Sequence, residues 1–231
     1  MKEDARLKKL YSKHYSSNQR MYLYPTEFVV RTFLGRYPKL KMSKELYGKA
    51  NILDLGFGDG RNIGLLSNLG FKVCGVEITR QIVSSAKKTM ALQGYTPELK
   101  VGRNNNIPYR DGFFNYVLAC HSCYYVDQDD SFSTNINEIA RVLKPSGVFI
   151  GSIPMKTNYI TKGATLHKDG SITIKNDPLK IRNGQRIAIA KSKSELKSYL
   201  GNRFDSIIIG SCKNDFWGIN EEVYIFKCIK F

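Results

Sequence analysis

Two carboxylates and a glycine-rich turn stand where this chain could do chemistry. In Asn51-Ile-Leu-Asp-Leu-Gly-Phe-Gly-Asp-Gly-Arg-Asn62, a short apolar run ends in Asp54, Gly56, Phe57, Gly58 and Gly60. Gly56 and Gly58 let the backbone turn sharply and let a ligand approach where a side chain would collide. A helix beginning there would point unbonded N–H groups into the same crevice. Glu77 closes the next apolar run, Phe71-Lys-Val-Cys-Gly-Val76, and a carboxylate at a strand tip reaches ribose hydroxyls. The combination points to a nucleoside-bearing cofactor. Groups that can move a proton are His121, Tyr124, His14 and His167. His121 comes first, because it directly follows a strand-like run.

The elements that must position these residues read as an alternation. Strands are expected at 51–55, 71–76, 98–102, 114–120 and 147–153, with helices at 60–69, 79–93 and 131–143. Such alternation builds an α/β fold, a doubly wound and mostly parallel sheet. Ligands in these sheets bind beyond the carboxyl ends of the strands. Asp54–Gly60, Glu77, Asn104–Asn105 and Cys120–Tyr124 all fall there. Helix 192–201, with Ser192 or Ser194 as cap, and strands 205–212 and 222–229 complete the pattern. Residues 1–50 read as an N-terminal helical lid, with Tyr11, Tyr15 and Arg31 as candidates for the substrate. Arg31 sits in the apolar stretch Glu-Phe-Val-Val-Arg-Thr-Phe-Leu, and a buried guanidinium needs an anionic partner. Residues 154–190 are rich in turn signals and read as an inserted β-hairpin flap over the substrate mouth, carrying His167 and Arg182.

Which nucleoside the turn holds follows from what it lacks. A dinucleotide fingerprint needs a third glycine where Arg61 stands. Asp54-Leu-Gly56-Phe-Gly58-Asp-Gly60 instead resembles motif I of class I S-adenosylmethionine (SAM) dependent methyltransferases. A carboxylate there suits a cofactor bearing an ammonium and a sulfonium and repels a pyrophosphate. Ile107-Pro-Tyr-Arg-Asp-Gly-Phe-Phe-Asn115 and Glu138-Ile-Ala-Arg-Val-Leu-Lys-Pro-Ser-Gly147 are similar to motifs of the type 11 group. The resemblance covers about residues 50–153. It implies a seven-stranded Rossmann-like sheet with an antiparallel last strand. It also implies that Gly56, Phe57, Gly58 and Asp54 lie near the methionine portion, and that Glu77 binds the ribose. Ile78 would then pack on the adenine, Asn104 and Asn105 lie near its amino group, and the Cys120 backbone near the methionine ammonium. Arg103 and Asn115 depart from the acidic residues common at their positions.

Composition bounds the rest. The chain's 231 residues suffice for one large α/β domain. No run approaches the roughly 20 apolar residues of a membrane span, and the N-terminus lacks an apolar leader. Five cysteines in strand-like or CxxC contexts read as reduced, cytosolic thiols. Cys120-His-Ser-Cys123 has no second ligand pair, so no metal is expected. The net charge of +16 lies in the flanks: +8 over residues 1–50, +1 over 51–150 and +7 over 151–231. Such a rim attracts an anionic small molecule or a nucleic acid. No Asn-Pro-Pro-Tyr-type motif follows strand four, which disfavours the exocyclic-amine nucleic-acid enzymes. The expectation is therefore a cytoplasmic SAM-dependent methyltransferase, monomer or homodimer, acting on a hydroxyl of an anionic metabolite such as a sugar nucleotide. An RNA or protein methyltransferase and a non-catalytic SAM-binding module are the alternatives.

Overall fold

The computed structural model describes residues 9–14 and 23–231. A seven-stranded sheet runs in the order β3-β2-β1-β4-β5-β10-β9. Its strands are β1 (Asn51–Leu55), β2 (Lys72–Glu77), β3 (Glu98–Val101), β4 (Phe114–Ala119), β5 (Leu143–Pro154), β9 (Phe204–Phe216) and β10 (Ile219–Lys230). The first five are parallel, whereas β10 is antiparallel to both β5 and β9. Residues 9–14 are helical, and the helices after them are α1 (Glu27–Leu34), α2 (Ile63–Asn68), α3 (Arg80–Leu92), α4 (Phe132–Val142) and α5 (Lys193–Leu200).

Side chains alternate across the sheet and feed two cores. Leu53, Leu55, Val117 and Phe149 face one core with α4 and α5; Ile52, Tyr116, Leu118 and Ile150 face the other with α1, α2 and α3. Asp54 alternates onto the second face, which is why a carboxylate is buried there. Helix starts follow capping chemistry. Thr79 Oγ1 accepts from Ile82 N–H at 3.2 Å, and Ser192 Oγ accepts from Glu195 N–H at 3.1 Å, which makes Ser192 the cap of α5. Helix α2 begins at Ile63, later than periodicity indicated, because the N–H of Ile63 bonds back to Gly60. The turn, rather than a helix end, therefore faces the ligand side.

The segment ahead of β1 divides in two. Phe33 and Tyr47 pack on Phe71 and Tyr116 in an aromatic cluster, with Tyr47 and Phe71 stacked at 4.4 Å, so this part belongs to the core. Tyr11, His14 and Thr26 instead reach the cavity described below. The insertion is a three-stranded antiparallel sheet, β6 (Thr165–Leu166), β7 (Ile172–Thr173) and β8 (Arg186–Ile187), not a hairpin. Backbone bonds from Val126 to Arg186 and from Ala188 to Tyr124 fasten it to the loop after β4, and Ile174, Ile187 and Ala190 are fully buried. Among the described residues no helix is long and apolar enough to cross a membrane.

Two stretches with familiar spacing meet at one arginine. Arg141 Nε and NH2 bond both Glu138 carboxylate oxygens at 2.7 Å, while NH1 and NH2 bond Tyr109 O and Ile107 O. Glu138 Oε1 also accepts from Ile107 N–H at 2.7 Å. Burial raises the Glu138 carboxyl, but the Arg141 bonds outweigh it and hold the group below its usual range. Arg141→Ala should cost about 2 kcal/mol in chemical denaturation, because it strips several partners at once. A loss below about 0.5 kcal/mol would mean the clamp is ornamental.

Candidate functional site

The carboxyl ends of the parallel strands open on a cavity of about 400 Å³, within the range of small-molecule sites. Its floor is the turn after β1. Gly56 and Gly58 have φ of 72° and 59°, a region costly for other residues. A Cβ on Gly56 would collide with the Ser122 Cβ, so only glycine lets the turn close on the loop after β4. Ser122 Oγ donates to Leu55 O at the same contact.

Glu77 ends β2 beside this turn. Its Oε1 accepts from Gly58 N–H at 3.1 Å and its Oε2 from Ile78 N–H at 2.6 Å. Burial raises its carboxyl above the usual range, and these two donors pull it back. Each oxygen retains acceptor capacity for a diol. Asp54 stands just behind the cavity wall, 1% exposed, with Oδ2 lacking a hydrogen-bond partner among the described residues. Burial, then the charges of Glu77 and Asp59, push it up to about 7. The neighbouring Cys120 thiol is pushed up to about 12, chiefly by burial, and so stays neutral. An orphaned buried acceptor, a glycine cradle and a strand-end carboxylate fit a nucleoside that carries positive charge, so these residues suit the expected cofactor.

At the expected adenine end, Ile78, Arg103, Asn104 and Asn105 all line the cavity. Asn104 Nδ2 donates to Ser122 O at 2.8 Å and Tyr125 O at 3.1 Å. Asn105 Nδ2 donates to Asp127 Oδ2 at 3.0 Å and to Asp130, and Arg103 NH1 meets Asp127 Oδ1 at 2.5 Å. These amides tie the loop after β3 to the loop after β4. The departure at Arg103 is matched by Asp127. Asn115 Oδ1 accepts from Asn51 N–H and Lys144 Nζ, so its amide joins β1, β4 and β5 away from the cavity.

The other half of the cavity is walled by Tyr11, His121, Tyr124, Tyr159, Arg182 and Glu221. His121 adopts φ 56°. Its N–H donates to Ser152 Oγ at 2.9 Å, its Nδ1 lies 3.2 Å from the same oxygen, and its Nε2 lies 3.9 Å from Glu221 Oε1. Burial holds the imidazole below its ordinary range. Tyr124 is buried and its phenol is raised well above the ordinary value by burial, which makes it a donor and a poor base. Tyr11 OH donates to Gln185 Oε1 at 3.3 Å and its ring meets Tyr125 edge-on. Arg182 NH1 donates to Tyr159 OH at 2.7 Å. Among the described residues its nearest carboxylate oxygen, Asp177 Oδ2, is 3.9 Å away and already accepts from Ile181 and Arg182 N–H.

Some expected substrate contacts lie elsewhere. Arg31 falls on the face of α1 opposite Phe28, Val29, Thr32 and Phe33; its side chain is 61% exposed and pairs with Glu27 at 2.7 Å. It does not line the cavity. His167 bonds Thr173 Oγ1 at 2.8 Å inside the small sheet and is likewise away from it. Tyr15 lies outside the described residues. Glu221 and Ser152 carry no sequence expectation, and Ser122 falls within the expected rim stretch Cys120–Tyr124 without a role of its own. The one sequence signal for Glu221 is its place directly before the expected last strand, which hairpin pairing brings beside the end of β5.

Residues 53–151 match a protein family described as "Methyltransferase domain". Over 125 residues the chain is 30% identical to Sterol 4-C-methyltransferase strm-1 of Caenorhabditis elegans, a stretch that covers 53% of this chain and 36% of that protein. The chain thus spans well under half the length of this curated relative. The PH0226 protein of Pyrococcus horikoshii superposes with a TM-score of 0.62 at 19% identity, over 88% of this chain and 89% of that one. A SAM-dependent methyltransferase of Methanosarcina mazei does so with a TM-score of 0.60 at 21% identity, over 79% and 92%. At such identities the superpositions establish the Rossmann-like fold.

Proposed function

We propose that this chain, whose residues 53–151 match a methyltransferase-domain family, binds SAM and transfers its methyl group to a small, anionic acceptor. SAM, when bound, supplies a methyl group already activated by its sulfonium, so the protein's task is mainly to hold two reactants at attack distance. In this reading Gly56 and Gly58 receive the methionine portion, Asp54 favours its positive charge, Glu77 accepts from the ribose hydroxyls and Ile78 packs on the base. Tyr11, Tyr124, Tyr159 and Arg182 then receive the acceptor.

The observation that carries the acceptor's charge is Arg182. It lines the cavity as a half-compensated cation, because Asp177 spends its oxygens on the backbone N–H groups of residues 179, 181 and 182. A carboxylate or phosphate on the acceptor, such as that of a sugar nucleotide, would complete it through a two-pronged contact. The C. elegans relative is named for a sterol, and a neutral ring system would instead use the tyrosine wall alone.

Two measurements test this. Calorimetric titration of the protein with SAM should give a single saturable site. Methyl-labelled SAM offered with cell extract, its small-molecule, lipid and RNA fractions kept apart, should label the anionic small molecules. Arg182→Ala should lower that labelling at least 100-fold with SAM affinity unchanged, and Arg182→Lys should restore part of it. Labelling confined to the lipid or RNA fraction would refute an anionic small-molecule acceptor; SAM bound with nothing labelled would favour a binding module.

A further inference from the structure

The hydrogen atoms around Ser152 can be assigned one by one. Ser152 is fully buried, and among the described residues its hydroxyl meets only two groups, the N–H and the Nδ1 of His121, at 2.9 and 3.2 Å. The His121 N–H must donate, so it occupies an acceptor position on the Ser152 oxygen. The hydroxyl proton then needs an acceptor of its own, and Nδ1 is the one within reach. Nδ1 is therefore unprotonated and the neutral ring carries its proton on Nε2, the nitrogen 3.9 Å from Glu221 Oε1. A carboxylate at this distance is near enough to draw into a hydrogen bond with Nε2–H by a small side-chain movement. His121 holds this orientation in a left-handed backbone conformation, φ 56°, which a non-glycine residue keeps only under local constraint.

We propose that Ser152 fixes His121 in its Nε2–H form, that this N–H holds the Glu221 carboxylate at the cavity, and that Glu221 takes the acceptor's proton. The inference rests on the methyl-transfer reading above and divides its labour: Glu221 is the catalytic residue, His121 and Ser152 are positioning residues. An Nε2–H imidazole cannot accept a proton at the nitrogen that faces the cavity, which removes His121 from the role its sequence position implied. The balance closes without a further reactant. The acceptor's oxygen or nitrogen bonds the methyl carbon, the carbon–sulfur bond breaks with its pair left on sulfur, and the acceptor's proton moves to Glu221. Glu221 is 37% exposed, so solvent can take that proton afterwards. The charged groups that face the imidazole are Glu221 from β10, Arg182 ahead of β8 and Arg61 after β1; the first favours its protonation and the other two oppose it.

The chain holds three histidines, so ¹⁵N-histidine labelling of the full-length protein gives an assignable spectrum, with His121→Asn marking the signal in question. Spectra are recorded with and without S-adenosylhomocysteine as the probe. The expected result is a neutral Nε2–H ring at pH 7, mixed tautomers in Ser152→Ala, and a roughly tenfold lower proton affinity of His121 in Glu221→Gln. In the labelled-methyl assay, Glu221→Gln should transfer at under about one hundredth of the native rate with SAM affinity unchanged. An Nδ1–H ring in the native protein, an unchanged His121 midpoint in Glu221→Gln, or transfer retained in that variant would each overturn the proposal. Failure of the native protein to bind SAM at all would instead strike the reading beneath it, and the calorimetry separates the two.

Discussion

Gly58→Val is expected to yield a folded protein with no measurable affinity for SAM by titration calorimetry. Two effects coincide at this position. A side chain there intrudes on a cavity wall, and the backbone must leave φ 59° or carry a strain of roughly 1–2 kcal/mol. A backbone that leaves this φ displaces the N–H that donates to Glu77 Oε1, so the turn and the carboxylate lose their common geometry. Gly112 offers a control. It has the same φ of 59°, and a Cβ there meets nothing within 4 Å. Gly112→Ala should therefore lose a similar amount of stability while binding SAM as the native protein does. Binding lost by at least 100-fold in the first variant and kept in the second assigns the site to the turn. Equal binding in both would refute it.

Asp54→Asn should have the next largest effect, and its direction depends on pH. Burial pushes the native carboxyl up to about 7 from its ordinary value of 3.8, so between those values the native state holds a proton that the unfolded chain releases. Stability therefore falls as pH rises from about 4 to about 7 and levels off above, by an amount of order 4 kcal/mol. The asparagine variant has no such proton, and at pH 8 the ligand-free variant should unfold at a higher temperature than the native protein. Below pH 4 the difference should vanish. SAM affinity should move the opposite way. It should climb with pH toward 7 in the native protein, as the carboxylate ionises, and be weaker and pH-independent in Asp54→Asn. A melting temperature for the variant at or below native at pH 8 would show that Asp54 is not strained by burial.

The sheet, and the turn that floors the cavity, were legible in the sequence because both are written locally. Each strand of the parallel set is one apolar run, and Asp54, Gly56, Gly58 and Glu77 stand at the ends of two adjacent runs. Arg31 misled because apolar neighbours in sequence are not neighbours around a helix. Successive residues on α1 point in different directions, and position 31 falls on the wet side of Phe28, Thr32 and Val29. Asn104 and Asn105 were placed at the right rim, but their side-chain amides bond the loop after β4, a partnership set by contacts across the sheet. Glu221 was out of reach for a related reason: it lies 100 residues from His121 in sequence and meets it only because β10 returns antiparallel beside β5. The three-stranded insertion could not be told from a hairpin, since β8 spans two residues and has no alternation to detect.

The contrast between the two halves of the cavity bears on ancestry. In the proposed reading, the donor is held by residues 55–62, 76–78, 102–105 and 120–122, which line the cavity as short tips of a sheet whose register leaves little freedom. In the same reading the recipient meets Tyr11, Tyr159, Arg182 and Glu221, scattered through an N-terminal helical stretch, a connecting segment, an insertion and the returning hairpin. A lineage can therefore exchange any one of these without disturbing its inheritance of the donor, and descendants of one such scaffold can diverge in clientele while the reaction they perform stays the same.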